Sequence, residues 1–212
     1  MQFAPALLIA FGALSATIGG FWQSYRQSSF NAAIREKNDQ IIVLQQENLN
    51  AVTGGDSFVE MRLLELGQEL QAPTTPAFFN RGKYPLYDVT ARIVDLDLRI
   101  IPTDSDAIRK LMGLAVNIGE LAPNQPFSNM QPLSHSAESD INYNIFYSAR
   151  NGHWTQFLRM KWTESGWSVA NRIEQNGKDV LVEVSPDFPK LANGEPDWEY
   201  YLQNKTNSNT KP

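Results

Sequence analysis

The chain has 212 residues, 42% of them apolar and 19% charged, and a net charge of −5. That balance fits one packed domain with attachments and excludes a disordered chain. There is no basic block, which argues against nucleic acid as a partner. There is no cysteine, which removes disulfides, thiolate chemistry and cysteine metal sites.

No charged side chain precedes Arg26, and Pro5, Ser15, Thr17 and three glycines are the only interruptions to the apolar run over 3–22. Twenty helical residues at about 1.5 Å each span about 30 Å, the thickness of a bilayer core. Trp22 and Tyr25 stand where an interfacial aromatic belt would lie. The spacing predicts a transmembrane helix over 1–25, in contact with membrane lipid through 3–22, and a single-pass membrane location. A cleaved signal peptide ending near Ala13-Leu14-Ser15 and a buried soluble helix are the alternatives. Arg26, Arg35 and Lys37 lean towards a cytoplasmic C-terminal part, but large domains translocate despite small biases, so the side stays open.

Residues 26–55 are expected to form a helical stalk. Phe30, Ile34, Ile41, Ile42, Leu44, Leu49 and Val52 recur at threes, fours and sevens, and Gly54-Gly55 ends the pattern. The seam is thin, with Asn38, Gln45 and Asn48 on or near it. A short coiled coil joining copies of the chain and a spacer helix packed on its own domain are both compatible with it.

Over 56–198 the pattern is antiparallel β. Asn151-Gly152 and Asn176-Gly177 are two-residue hairpin signals, and 163–166 makes a turn between them. Four strands follow, near 141–150, 153–162, 167–175 and 178–184. The loop at 151–152 puts Arg150 opposite His153 and Tyr147 opposite Gln156, the turn at 163–166 puts Trp162 opposite Trp167, and the loop at 176–177 puts Ile173 opposite Val180. One face then collects Ile141, Tyr143, Ile145, Tyr147, Trp154, Leu158, Met160, Trp162, Trp167, Val169, Ile173, Val180, Val182 and Val184. The other collects Asn142, Asn144, Arg159, Lys161, Ser168, Arg172 and Glu183. Gln156 and Asn171 fall on the apolar face and need partners there. On the polar face Phe146, Phe157, Arg172 and Leu181 line up across the four strands. That stripe is the candidate binding site; its alternative is a surface covered by a loop or by the stalk.

A second sheet is expected from 56–134, with short strands at 57–64 and 76–80 and a turn at Asn80-Arg81-Gly82. A long strand over 84–100 changes phase at Ile93-Val94, which suggests a bulge. A short helix is expected after Thr103, with Ile108, Leu111, Met112 and Ala115 on one face, and a strand over 115–122. Residues 199–212 read as a disordered tail.

The stretches Gly54-Gly55-Asp56-Ser57-Phe58, Gly82-Lys83-Tyr84-Pro85-Leu86-Tyr87-Asp88-Val89 and Ser148-Ala149-Arg150-Asn151-Gly152-His153-Trp154 resemble a group of uncharacterised bacterial membrane-anchored proteins. The resemblance implies an anchor, a helical stalk and an immunoglobulin-like sandwich, and no activity. The expected fold is therefore mainly β: an antiparallel immunoglobulin-like β-sandwich behind an N-terminal transmembrane helix and a stalk.

Chemistry is sparsely provided. Ser57, His153 and Asp56 are the members a hydrolytic triad would need, but Ser57 lacks the Gly-x-Ser-x-Gly setting. Asp95, Asp97, Asp104 and Asp106 do not have the spacing of a calcium loop. The expectation is a binding or structural module, not an enzyme, with no catalytic residues, cofactor or metal, and with a protein partner. A membrane-tethered hydrolase and a glycan-binding sandwich are the alternatives.

Overall fold

The computed structural model describes residues 3–64, 74–97, 113–128, 130, 133 and 140–199, without the side chains of 3–7 and 10. It divides into two compact units, 1–49 and 50–212.

Helix α1 runs unbroken over Phe3–Thr53, 51 residues. The expected anchor and stalk are thus one element, with no break near residue 25. The hydroxyls that interrupt the apolar run are satisfied within the helix: Ser15 donates to Phe11 O at 2.8 Å, and Thr17 to Leu14 O at 2.9 Å. The end matches the expected one. Gly54 N–H donates to Asn50 O at 2.8 Å, and Gly54 and Gly55 take φ of +102° and +54°, which only glycine adopts readily. Among the described residues no helix is long and apolar enough to cross a membrane. The span expected over 3–22 is to that extent unsupported; it takes in 3–7 and 10, whose side chains lie outside the described residues.

The second unit holds β1 (Val59–Leu64), β2 (Thr75–Asn80), β3 (Leu86–Asp95), β4 (Leu114–Leu121), β5 (Asp140–Ala149), β6 (Gly152–Thr163), β7 (Gly166–Gln175) and β8 (Lys178–Val184). All ladders between these strands are antiparallel. Six strands form one sheet, ordered β4-β3-β5-β6-β7-β8, and β1-β2 form a separate hairpin. The hairpin's apolar side lies on the sheet: Val59, Met61 and Phe78 share a core with Leu86, Val89, Ile93, Ile145, Tyr147, Trp154, Leu158 and Ile173. Single bridges from Thr74 to Leu133 and from Phe78 to Phe127 extend the hairpin's layer. The mainly β, antiparallel class is as expected. Among the described residues an immunoglobulin-like division into sheets of three and four strands is not found, because β3 and β4 join the meander instead of supplying a second sheet.

The phase change on β3 lies at the other end from the one expected. Ile93, Val94 and Asp95 pair continuously with Ile145, Asn144 and Tyr143, so Ile93-Val94 is no bulge. The irregularity falls between Leu86 and Thr90, where Asp88 has φ +57°. The helix expected after Thr103 and the tail from 200 onward lie outside the described residues.

The register within β5–β7 holds, with one shift of two residues. The β5–β6 loop is Arg150-Asn151, so Ala149 faces Gly152 and Tyr147 faces Trp154 rather than Gln156. A shift of two keeps every side chain on its expected face. Asn151 is held in this loop by its side-chain amide, which donates to Gly55 O at 3.1 Å and to Ser57 O at 2.7 Å. Trp162 faces Trp167 as expected, the rings edge-on at 5.3 Å.

At β7–β8 the face reverses. The Asn176-Gly177 turn forms, with φ of +53° and +72°, and pairs Gln175 with Lys178 and Glu174 with Asp179. Then Val180 bulges, and Ile173 faces Leu181. Expected core residues Val180 and Val182 are 39% and 52% exposed, and Val184 is half-buried. Leu181 instead packs against the core. Glu183, expected on the polar face, now stands opposite Asn171.

Candidate functional site

The flip at Val180 completes a polar cluster at one margin of the core. Gln156 is fully buried, and its side chain does what a neighbouring strand would do. Its Oε1 accepts from Met61 N–H, and its Nε2 donates to Met61 O, both at 2.8 Å. Oε1 also accepts from the Tyr147 hydroxyl at 2.7 Å, and Nε2 also donates to Asn171 Oδ1 at 2.9 Å. Trp154 Nε1 donates to Val59 O at 3.0 Å. Every polar atom that the apolar face carries here thus has a partner, which removes the desolvation penalty of burying it. Burial pushes the Tyr147 phenol well above its ordinary pKa, and the Glu60 carboxylate adds to the rise.

Glu60 extends this cluster to the surface. Its carboxylate is buried at 1% exposure and accepts from Asn171 Nδ2 at 2.9 Å and from Arg62 Nε at 2.8 Å. Arg81 Nε lies 3.0 Å from the other oxygen, close enough for an ion pair but off the line of a hydrogen bond. Glu183 meets both arginines, Arg62 at 3.1 Å and Arg81 at 3.3 Å. Two carboxylates and two guanidinium groups close a ring. Its first consequence is that the Glu60 hydrogen bond raises the Arg62 pKa, so that guanidinium never loses its charge.

Beside the ring lies a groove of about 410 Å³ between β1 and the β7–β8 edge. Its apolar floor is Met61, Leu63, Leu158, Met160 and Val169; the exposed Arg62 and Glu183 stand at its rim, and the buried Glu60 and Asn171 also line it. The volume is that of a small ligand or one or two side chains. With the rim charges neutralised in pairs, the recess favours an apolar, uncharged occupant.

The expected stripe of Phe146, Phe157, Arg172 and Leu181 is only partly assembled. Leu181 is on the opposite face. Phe157 and Arg172 are register partners, the guanidinium 5.0 Å from the ring centre. Phe146 stands apart, 37% exposed under the Arg92 guanidinium. The segment after β8 crosses this face and covers much of it. Arg159, 2% exposed, donates to Tyr143 O and Asn144 Oδ1 on β5 and to Trp198 O at 2.9 Å, while Trp198 lies against Arg172. Asp187 fastens the start of the segment. It accepts from Ser165 Oγ at 2.8 Å and Ser168 Oγ at 3.0 Å, and these bonds, Ser165 first, lower its pKa.

The hydrolytic triad of Ser57, His153 and Asp56 is not assembled. Ser57 is fully buried and its Oγ accepts from Tyr84 N–H at 3.0 Å, while no hydrogen bond joins it to His153 or Asp56. Ser57 is instead a docking point: a Cβ on Gly82 would lie 2.1 Å from its Oγ, so only glycine lets the 80–84 turn close on it. Asp97 accepts from Asn142 N–H at 2.9 Å and so holds the start of β5. Asp104 and Asp106 lie outside the described residues, among which no group of three acidic or histidine side chains could hold a metal.

Sequence reasoning flagged Gln156 and Asn171 as polar residues needing partners, but it missed Glu60, Arg62 and Arg81. The available signal was an isolated Glu between Val59 and Met61 in a short strand followed by Arg62. No family model, curated protein or solved structure matches the chain.

Proposed function

We propose that this chain is a tethered binding or structural module: a β unit that takes an apolar segment of a protein partner in the groove beside β1, carried on a helix whose first section lies in membrane lipid. The observation that carries the reading is the surface of that section. Leu8, Ile9, Phe11, Leu14, Ile18, Phe21 and Trp22 each expose 57–75% of their area in the single chain, on all sides of a helix without a charged side chain before Arg26. Such a cylinder is stable only when an apolar medium surrounds it. Lipid supplies that medium with no need for a matching protein surface. The neutralised rim and apolar floor of the groove support the binding half of the reading.

The test is fractionation of cells that express the full chain, with an alkaline carbonate wash. The full chain should stay in the membrane pellet, and a chain lacking residues 1–25 should move to the soluble fraction with its β unit folded. Release of the full chain by the wash would sink the reading.

A further inference from the structure

We infer that the section of α1 over 27–48 is one strand of a parallel, two-stranded coiled coil whose other strand is a second copy of this chain. Phe30, Ile34, Lys37, Ile41, Leu44 and Asn48 follow one another at spacings of four, three, four, three and four. That alternation keeps a single seam facing a partner helix. Phe30, Ile34, Ile41 and Leu44 are 41–62% exposed in the single chain, so the seam is uncovered there.

The side chains choose the occupant. Ile34, Ile41 and Asn48 take the a positions; Phe30, Lys37 and Leu44 take the d positions. Isoleucine at a with leucine at d favours two strands, and one asparagine at a pairs with its twin across the seam and fixes the register. A parallel homodimer sets each of these residues against its own copy, which no antiparallel or shifted arrangement does. The flanking positions agree: a parallel pair puts Gln40 beside Gln45 and Ala33 beside Asn38, so no like charges meet there. Lys37 is the weak layer. Its ammonium already donates to Gln40 Oε1 at 3.2 Å, so it stays at the margin while its stem packs.

A helix section this polar also needs such a partner. Its internal side-chain bonds include Lys37 to Gln40 and Gln40 to Glu36, worth only a few tenths of a kcal/mol each in general. Past Gln27 and Gln23 the same a/d positions continue back through Gly20, Ala16 and Ala13, small residues that would let two helices approach closely. The pairing does not rest on lipid contact, so it can fail while the membrane reading stands, and the reverse.

The chain's lack of cysteine makes the test clean. Single substitutions Ile34→Cys, Ile41→Cys, Leu44→Cys and Asn48→Cys are compared, under mild oxidation of the full-length protein in detergent, with Asp39→Cys and Gln46→Cys on the opposite side of the helix. All four seam positions should crosslink to a dimer, at least roughly fivefold faster than the two controls, because only there do equivalent Cα atoms come within disulfide reach. Crosslinking at one seam position alone would indicate an antiparallel crossing and overturn the proposal; equal rates at seam and control positions would do the same. Light scattering of the unmodified chain gives an independent reading. A protein mass of twice 23.9 kDa is expected, and a mass of 23.9 kDa would overturn it.

Discussion

The hairpins β6–β7 and β7–β8 share a strand and both close on two-residue turns, yet only the first keeps its turn register to the far end. In β6–β7 the pair Thr163–Gly166 leads without a slip to Thr155–Glu174. In β7–β8 the pair Gln175–Lys178 is followed after one more pair by the bulge at Val180, and every later side chain changes face. Turn chemistry sets where a ladder starts. What the next strand must reach decides whether it continues. Here the slip turns Leu181 into the core and aims Glu183 at Arg62 and Arg81, while Val180 and Val182 move into water. The second hairpin exchanges some valine burial for a closed ring of charges around Glu60.

The largest expected effect tests what the ring protects. Gln156→Leu would leave Met61 N–H and C=O, the Tyr147 hydroxyl and the Asn171 amide without the partner each now has, and should lower stability by about 4 kcal/mol in denaturant unfolding. A loss below about 1 kcal/mol would mean that the joint between hairpin and sheet lies elsewhere. Next comes Glu60→Gln, which leaves the two arginines Glu183 as their shared carboxylate and a neutral amide in place of the buried one. About 2 kcal/mol should be lost, less than for a fully buried pair because Arg62 and Arg81 are part-exposed.

The slip itself is tested by paired truncations. Leu181→Ala should cost about 1–2 kcal/mol and Val182→Ala less than about 0.5 kcal/mol. The reverse order would restore the face that the turn alone predicts. Deleting Val180 should change stability by about 1 kcal/mol or less, since Ile173–Leu181 and Glu174–Asp179 remain partners when the extra residue is gone. Chemical shifts of Leu181 that move to exposed values in that deletion would show the bulge to be the cause of the flip rather than its accommodation.

A pH series gives a gentler measurement. Tyr143 and Tyr147 both have folded pKa values raised by burial above the unfolded value of about 10. A raised folded pKa means that the stability they contribute is complete below the unfolded pKa and is lost as pH rises towards the folded one. Unfolding midpoints should therefore fall above about pH 10, and Tyr147→Phe should flatten part of that fall. An unchanged slope in the variant would remove Tyr147 from the account.

These contrasts also mark what the sequence could convey. Strand positions over 140–184 were legible because turn residues and alternating apolar residues repeat there, and a two-residue error at Arg150-Asn151 costs nothing when side chains alternate with period two. The end of α1 at Gly54 was legible because few residues other than glycine accept its φ. The bulge was not, since Val180 is an ordinary strand residue and its displacement answers to arginines that lie 121 and 102 positions before Glu183. Placing β3 and β4 beside β5 was equally out of reach, as local pattern does not say which sheet a strand joins. Of the expected stripe, Phe157 and Arg172 were legible as neighbours because their strands pair without a slip. Its cover by the segment through Trp198 was not, because Arg159 reads as a solvated residue until that segment is in place.

The amide of Gln156 also bears on the order of assembly. The contacts it makes with Met61 join residues 95 apart in the chain, whereas the β5–β6 and β6–β7 turns close across two residues. Closing the longer loop costs more chain entropy, and it yields little until both sides of the joint exist. The expected order is therefore the meander first, offering a finished slot, and the β1–β2 hairpin entering it afterwards. The same asymmetry runs backwards on opening: hydrogen exchange at the Met61 amide should report undocking of the hairpin before any strand of the meander lets go.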